Sequence, residues 1–508
     1  MSGATVEEAS QVAEFFSGRS VFLTGITGFL GKVLLEKMLR SCPDIGTVFV
    51  IIREKRGSNC KDRLNKILNE RLFEKLRADK PDAFKKIVVV PGDMVQPQMG
   101  MSNIDRERII NEVSVVIHGA ASVRFDEPLK VAVRSNLLAT KMLLDLCKEM
   151  KSLKVYVHVS TAYCNCNVKD VEEKVYPAPL DPAHLLDMVE WMDESLLESL
   201  TPKLLQGRPN TYTFTKAMAE VLVQEAASSF PVAIVRPSII TGAWREPVVG
   251  WVDNYNGPTG LLVALGTGLL KSVYCDLSLV TDMIPVDVVS DSVLAAAWYT
   301  GTNRPEKVRV YNVATGTDNP LSWHKFMVNV INIPFDYPSS IIVRYPSPAY
   351  TNIKMMHNLR LFAFHYLPAH ALDLVLKAVG KKPCLSRLYE RIKGSLDAYE
   401  YFTTQEWNFE TDNVRALYSE LNSTDKKTYN IDVTQIDWST YLVSYCLGIR
   451  QFVIKEDLST VPAGKRHVTK LYWLSKAGNA ICLFGAWQLL KAINWDPVDM
   501  AMTVGGFF

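Results

Sequence analysis

Val21-Phe22-Leu23-Thr24-Gly25-Ile26-Thr27-Gly28-Phe29-Leu30-Gly31 decides how the rest of the chain reads. A short apolar run stops at glycine, and apolar residues then recur at helical spacing from Phe29 to Leu39. The glycines follow a G-x-x-G-x-x-G pattern between an expected strand and an expected helix, which is the setting that gives such a pattern meaning. Glycine there permits a tight turn and lets backbone N–H groups approach a pyrophosphate seated on the positive end of the helix. Thr24, Gly25, Thr27, Gly28, Phe29, Leu30 and Gly31 are therefore the first candidate cofactor-binding residues. A plain strand-to-helix turn is the alternative for the motif taken alone.

The residues on either side extend the pattern. Thr47–Ile52 is continuous and rich in β-branched residues, as a strand buried on both faces should be. Further apolar runs follow at Ile87–Val90, Val115–Ile117, Val155–Val159 and Val232–Val235. Helical patterns lie between them, among them Leu129–Met150 and Tyr212–Ala227. Strand–helix repetition of this kind predicts an α/β fold with a doubly wound parallel Rossmann sheet. The second strand ends at Arg53-Glu54-Lys55-Arg56, where an NAD site would place an acid for the ribose 2′-hydroxyl. Arg53 and Lys55 suit a 2′-phosphate instead, so NADPH is the expected cofactor, with a solvated basic loop as the alternative. Asp93, with Met94 beside it just after the third strand, is placed to reach the adenine amino group.

Chemistry enters with Tyr212 and Lys216, an i, i+4 pair that shares one face of a helix. An ammonium beside a phenol lowers the phenol's pKa and makes it a usable general acid. A surface pair is the ordinary reading of Y-x-x-x-K by itself. Ser160-Thr161 at the end of the fifth strand strengthens the catalytic one, with Thr161 as the hydroxyl that meets the substrate oxygen beside Tyr212. Asn136, on the preceding helix, is expected to orient a water for proton relay to Lys216.

Composition excludes several other classes. The chain has 508 residues, 48% of them hydrophobic and 22% charged, which rules out wholesale disorder. A net charge of +2 is too balanced for nucleic-acid binding by bulk electrostatics. Nine cysteines are too few for a disulfide scaffold and point to reduced thiols in a cytosol-facing compartment. Residues 1–19 are polar and acidic, without a secretory apolar region. No metal site is expected. Cys164 and Cys166 lack a second pair, His365 and His370 are off register, and His118 and His158 read as core histidines.

The order of motifs, TGxxGxxG, Ser160-Thr-Ala-Tyr163, Y-x-x-x-K and Arg236-Pro-Ser238, resembles the extended short-chain dehydrogenase/reductase superfamily. More narrowly, the chain resembles eukaryotic fatty acyl-CoA reductases with a male-sterility-type C-terminal domain. The matching segments include His118-Gly-Ala-Ala-Ser-Val-Arg-Phe-Asp126, His158–Asn165, Arg236–Gly242, Gly250-Trp-Val-Asp-Asn-Tyr-Asn-Gly257 and Ile284–Val288. The likeness continues through Trp438–Gly448 and Lys455-Glu-Asp457. It implies two successive NADPH-dependent reductions of a long-chain acyl-CoA to fatty alcohol and free CoA, feeding ether-lipid or wax synthesis. It also implies Ala120, Pro237, Ser238 and Ile239 as further cofactor contacts, with Tyr212 and Lys216 touching the cofactor too. A sugar-nucleotide or hydroxysteroid reductase would share Thr161, Tyr212 and Lys216 but not the Gly250–Gly257 segment. An NADPH-binding pseudo-enzyme is the non-catalytic alternative.

The division expected is a catalytic Rossmann domain over 1–300, the remainder of the substrate region over 301–355, a helical domain over 356–457 and a membrane-anchoring tail over 458–508. The segment between Thr161 and Tyr212 holds Trp191, Met192 and a Leu-rich helix, and is read either as an insertion that shapes an acyl or pantetheine pocket or as plain scaffold packing. Arg245 and Trp251 are expected near the cofactor mouth. Residues 359–377 suit a buried or interfacial helix. Residues 471–490 are just long enough to span a bilayer, with Trp473 and Trp487 as anchors and Lys465, Arg466 and Lys470 ahead of them. A surface-lying helix is the alternative. The chain ends at Gly505-Gly-Phe-Phe508 with no organelle signal. The resemblance implies the peroxisomal membrane, or else the endoplasmic reticulum or lipid droplets, with the catalytic part facing the cytosol. Expected partners are the acyl-CoA substrate and membrane lipid, no nucleic acid, with a homodimer left open.

Overall fold

Seven strands lie parallel in one sheet: β1 (Ser20–Thr24), β2 (Val48–Ile52), β3 (Ile87–Pro91), β4 (Val113–His118), β5 (Val155–Val159), β6 (Val232–Pro237) and β7 (Arg309–Val313). Their spatial order is β3-β2-β1-β4-β5-β6-β7. This is a computed structural model, and it describes residues 8–55 and 57–492. Arg56, the first seven residues and the terminal Gly505–Phe508 lie outside the described residues.

Register is set by the apolar runs. Val21 faces Val48 across β1 and β2, and His118 faces His158 across β4 and β5. β2, β4, β5 and β6 are buried along their whole length because helices cover both faces. The chief helices on the sheet are α1 (Phe29–Ser41), α2 (Thr211–Ala226) and α3 (Val286–Asn303). The strand order reverses between β1 and β4, which opens a crevice beyond the C-terminal strand ends, where such folds bind ligands.

Six strands coincide with the apolar runs of the sequence, and β7 is the addition. Its sequence Arg-Val-Tyr-Asn-Val is short and polar at Asn312. That amide is buried and donates to the carbonyls of Val171 and Glu410 at 3.1 and 2.9 Å. The expected helix over 129–150 is broken by a π-helical turn, Val133–Leu138, between Leu129–Ala132 and Ala139–Glu149.

Beyond β7 the chain is mostly helical. Lys354–Leu361, a π-helical turn at Phe362–Tyr366, and Leu367–Ala378 make one helical segment, 354–378. Then come α4 (Leu385–Thr403), α5 (Trp438–Gly448) and α6 (Val461–Ala492). This part is sewn into the first half. Asn408–Phe409 pairs with Asp170–Val171 as a two-stranded parallel ladder. The Asp425 carboxylate accepts from Gln11 N at 2.9 Å and from Ser10 Oγ at 2.5 Å, beside the first turn of the N-terminal helix. Tyr441 Oη donates to the Gly242 carbonyl at 2.7 Å. Gly250 has φ +74° and meets Gly448 so closely that a Cβ on Gly448 would lie 1.8 Å from the Gly250 oxygen.

One expectation is corrected. Residues 471–490 are helical, as part of α6, yet among the described residues no helix is long and apolar enough to cross a membrane. Ser475, Lys476, Asn479 and Gln488 dilute the apolar stretch too far.

Candidate active site

The crevice begins at the glycine turn. A Cβ on Gly25 would sit 2.7 Å from the Gly119 backbone, and one on Gly31 only 2.2 Å from the Gly25 oxygen. Glycine is thus required where β1, β4 and α1 come together. Gly28 stands at the N-terminal cap of α1 with no side chain of its own, and Thr27 beside it is exposed. The free N–H groups of the first turn and the helix dipole leave an anion cradle there, so these residues fit a dinucleotide. Thr24 does not face that cradle. Its hydroxyl is buried, bonds His118 Nδ1 at 2.8 Å and accepts from Ala120 N at 3.1 Å, tying the ends of β1 and β4.

Around the turn, Phe29 stacks on Trp251 with ring centroids 5.3 Å apart, and Asp253 pairs with Lys32 at 2.9 Å. The Gly250–Gly257 segment therefore forms the outer wall of the cradle. Trp251 stands where the sequence put it, but Arg245 does not. It sits over the Trp244 ring and lines a cavity of about 280 Å³ with Arg40, at the other end of α1. Thirteen residues of helix separate the two ends, roughly 20 Å. Arg53 and Asp93, at the ends of β2 and β3, approach each other to 3.5 Å, with Arg53 59% exposed. Lys55 is exposed and forms a local bridge with Ser58, and Met94 is half-buried nearby. At the far side, Ser238 N donates to the Val313 carbonyl and Ile239 N to that of Asp282, fixing Pro237–Ile239 at the end of β6.

Thr161 and Tyr212 come together at the end of β5, and Lys216 reaches the same strand end at Val159. Asn210 caps α2, its side chain accepting from Thr213 N at 2.9 Å, so Tyr212 falls in the first turn. Thr161 caps the short turn Ala162–Asn165, and its hydroxyl lies beside the Tyr212 phenol. Burial raises the Tyr212 pKa above its ordinary value, and the Thr161 hydroxyl opposes this only in part. The expected lowering by Lys216 is thus not found in this structure. The Lys216 ammonium is turned to the strand, donating to the Val159 carbonyl at 2.6 Å and lying 3.4 Å from His158 Nε2. Burial pulls its pKa down to about 8. Behind it, His158 and His118 are both buried and held neutral by that burial, the latter at about 3. Asn136 is buried in the π-helical turn with its amide engaged: Ser122 N donates to it, and it donates to the Ser122 carbonyl and to Thr215 Oγ1, all within 3.1 Å. It braces the 119–125 loop against α2 rather than pointing at Lys216.

Sequence reading missed two features. The first is a roof of aromatic rings. Phe125 stacks on Tyr212 at 5.9 Å and touches Tyr399 and Phe402 of α4 at 5.9 and 5.6 Å. Phe402 also meets Tyr163 edge-on at 5.2 Å. Tyr399 Oη accepts from Gly257 N at 3.0 Å, which hooks α4 onto the cradle wall. A cavity of about 500 Å³ opens beside Phe125, lined by Asn210, Asp397, Glu400, Tyr401 and Gln405. The dense aromatics of Tyr399-Glu-Tyr-Phe402 were the one signal available. The second is the fully buried pair Glu220–Arg236, bidentate at 2.6 and 2.8 Å, which locks α2 to β6 under the site.

The comparisons agree with this geometry. Residues 23–293 match the NAD-binding family described as male sterility protein, and residues 364–456 match its companion Sterile family of the same description. The chain is 43% identical over 489 residues to "Fatty acyl-CoA reductase 1" of Rattus norvegicus, covering 95% of this chain and 93% of the relative. The Homo sapiens protein of that name is 42% identical at the same coverage, and "Fatty acyl-CoA reductase 2" of Homo sapiens is 37% identical over 95% and 94%. Among solved structures, the fold is similar to the reductase domain of a nonribosomal peptide synthetase from Mycobacterium tuberculosis (TM-score 0.58, 20% identity, 88% of this chain and 96% of that one). Similarity at 37–43% identity over nearly the whole length places this chain in the fatty acyl-CoA reductase family.

Proposed function

We propose that the protein reduces long-chain acyl-CoA to fatty alcohol and free CoA in two NADPH-dependent steps. The carrying observation is Tyr212 beside Thr161 beneath the aromatic roof, with Lys216 one helical turn on at the same strand end, in a chain of this family. NADPH, when bound, supplies a hydride at its nicotinamide ring. Arg53 supports NADPH over NADH, because its exposed guanidinium suits a 2′-phosphate and Asp93 orients it.

The residues act as follows. The Tyr212 phenol, kept protonated by burial, donates a hydrogen bond to the thioester oxygen, and Thr161 shares that oxygen. As the carbonyl carbon accepts hydride, Tyr212 gives its proton to the oxygen and a hemithioacetal forms. The Tyr212 phenolate is steadied by the α2 N-terminus and by charged Lys216 one turn on. It then takes the hydroxyl proton back, the C–S bond breaks, and CoA thiolate leaves an aldehyde. A second hydride and the same Tyr212 proton give the alcohol. The roof of Phe125, Tyr399 and Phe402 excludes water and holds the aldehyde between steps.

The same reading puts the protein on a membrane with its sheet in the cytosol, at the peroxisome or else at the endoplasmic reticulum or lipid droplets. Lys465, Arg466 and Lys470 ahead of the apolar stretch support it, with α6 lying at the surface rather than across it. NADPH oxidation by detergent-solubilised protein with C16 and C18 acyl-CoA tests the activity. Alcohol at two NADPH per acyl-CoA is expected. No oxidation with any acyl-CoA, despite tight NADPH binding, overturns it.

A further inference from the structure

The helical segment 354–378 is built inside out. A helix on a water-soluble protein turns its apolar stripe inward and its polar side chains to solvent. Here the residues that face the protein are His357, Leu361, His365, Ala369 and Asp373, one every fourth position. Three of those five are polar, and each is bonded within the protein. His357 Nδ1 bonds Ser272 Oγ at 2.9 Å. His365, 1% exposed, accepts from Lys271 N at 3.2 Å and packs on the Tyr389 ring of α4. The Asp373 carboxylate accepts from the backbone N–H groups of Cys384, Leu385 and Ser386 within 3.0 Å, and so caps the start of α4.

The outward face is apolar instead. Met355 is 78% exposed, Leu374 67%, and Leu359, Phe362, Leu367 and Val375 are each more than half exposed. Isolated exposed leucines mean little, but a continuous apolar helix face does. Charge chooses among its possible covers. Residues 353–382 carry five cations and one acid, the inward-turned Asp373; Lys354 pairs with Glu400 of α4, and Arg360, Lys377, Lys381 and Lys382 are the cations left to border the strip. An apolar strip that carries no outward carboxylate of its own, and has more cations than its neighbour α4 pairs with, complements an anionic phospholipid surface.

We propose that the outward face of 354–378 seats in the headgroup layer of an anionic membrane, as a lipid contact separate from α6. The segment 341–345 joins the two. Arg344 Nη1 donates to the Phe364 carbonyl at 2.9 Å, and the Tyr345 ring meets Tyr472 of α6 at 5.3 Å. Val343 on this link is itself 55% exposed. The seated face is one helix away from the active-site mouth, because α4 is capped by Asp373 at its start and carries Tyr399 and Phe402 at its end.

The test is flotation of the full-length protein with vesicles of phosphatidylcholine containing about one-quarter phosphatidylserine, and with pure phosphatidylcholine beside them. Each exposed side chain removed from lipid weakens partitioning, and about 1.4 kcal/mol is tenfold. The triple variant Leu359→Gln, Phe362→Gln, Leu374→Gln is expected to lose at least about tenfold in vesicle binding. It should keep its reductase rate on acyl-CoA in detergent, which shows it folded and keeps this result apart from a failure of the activity itself. Wild type is expected to prefer the phosphatidylserine vesicles; equal binding to both overturns the charge argument. A second variant, Trp473→Gln with Phe484→Gln, reads α6 by itself. Unchanged binding by the triple variant, with all binding lost in the α6 variant, overturns the proposal. So does a dimeric wild type whose triple variant is monomeric yet still floats, since the face would then belong to a second copy of this chain.

Discussion

The active site has two walls of different origin. The floor is made by strand ends and the first turn of α2, and it holds every group proposed to move a proton. The roof comes from Phe125 and from α4, some two hundred residues further along the chain, and it holds none. The floor's residues are fixed by local caps and ladder registers, so their placement follows from neighbours in sequence. The roof is fixed by ring-on-ring packing and by hydrogen bonds that reach out from α4: Tyr399 accepts from Gly257 N, Tyr401 donates to the Cys166 carbonyl and Thr403 to that of Tyr274. Chemistry is thus held rigidly from below, while access and dryness are set from above.

The contrast can be broken experimentally. Tyr212→Phe removes the proton donor and should lower turnover about 10³- to 10⁴-fold, with NADPH affinity, read by fluorescence titration, nearly unchanged. A roof variant that costs as much would erase the distinction. Glu220→Ala leaves Arg236 charged and unpaired in the core, and should destabilise the fold by about 3–5 kcal/mol in urea unfolding. Loss of rate without loss of stability would mean that this pair belongs to the chemistry. Phe402→Ala opens the roof and should cost about tenfold in kcat/KM, with free aldehyde now detectable in the medium. A variant that still releases only alcohol denies the roof its part in retention. Arg53→Ser should raise the KM for NADPH about five- to tenfold and leave that for NADH alone. The smallest effect is on pH. Lys216 carries its charge below about 8 and loses it above, so kcat should fall roughly twofold from pH 7 to pH 8 and further beyond. A flat profile to pH 10 would show that its charge is not needed.

Legibility in the sequence followed the same division. The glycine turn, six strands and the trio Thr161, Tyr212, Lys216 could be read because each lies within a few residues of a strand end or helix start. Arg53 and Asp93 were separately legible, but their pairing needed the β2–β3 register. Asn136 was picked out on the right helix, but its bracing of Ser122 and Thr215 was not legible, since those partners come from distant segments. Phe125, Tyr163, Tyr399 and Phe402 come from three separate stretches of chain, and no spacing rule joins them. The segment 354–378 shows why periodicity alone falls short. It reveals that a helix has two faces, and only the fold says which one turns inward.

The close seat of Gly448 against Gly250 has a consequence for the growing chain. The sheet can assemble once Arg309–Val313 has left the ribosome. The segment beneath it cannot settle until α5 arrives, because α5 holds Gly242 and Gly250 in place. Trp251 can meet Phe29 early, but the Gly242–Gly250 turn that carries it lacks its α5 support while nearly two hundred residues are added. At ordinary rates of synthesis that is roughly 10 to 40 s. For that interval the nascent protein carries an incompletely braced loop, and any truncation that removes α5 leaves Gly242 and Gly250 without that support.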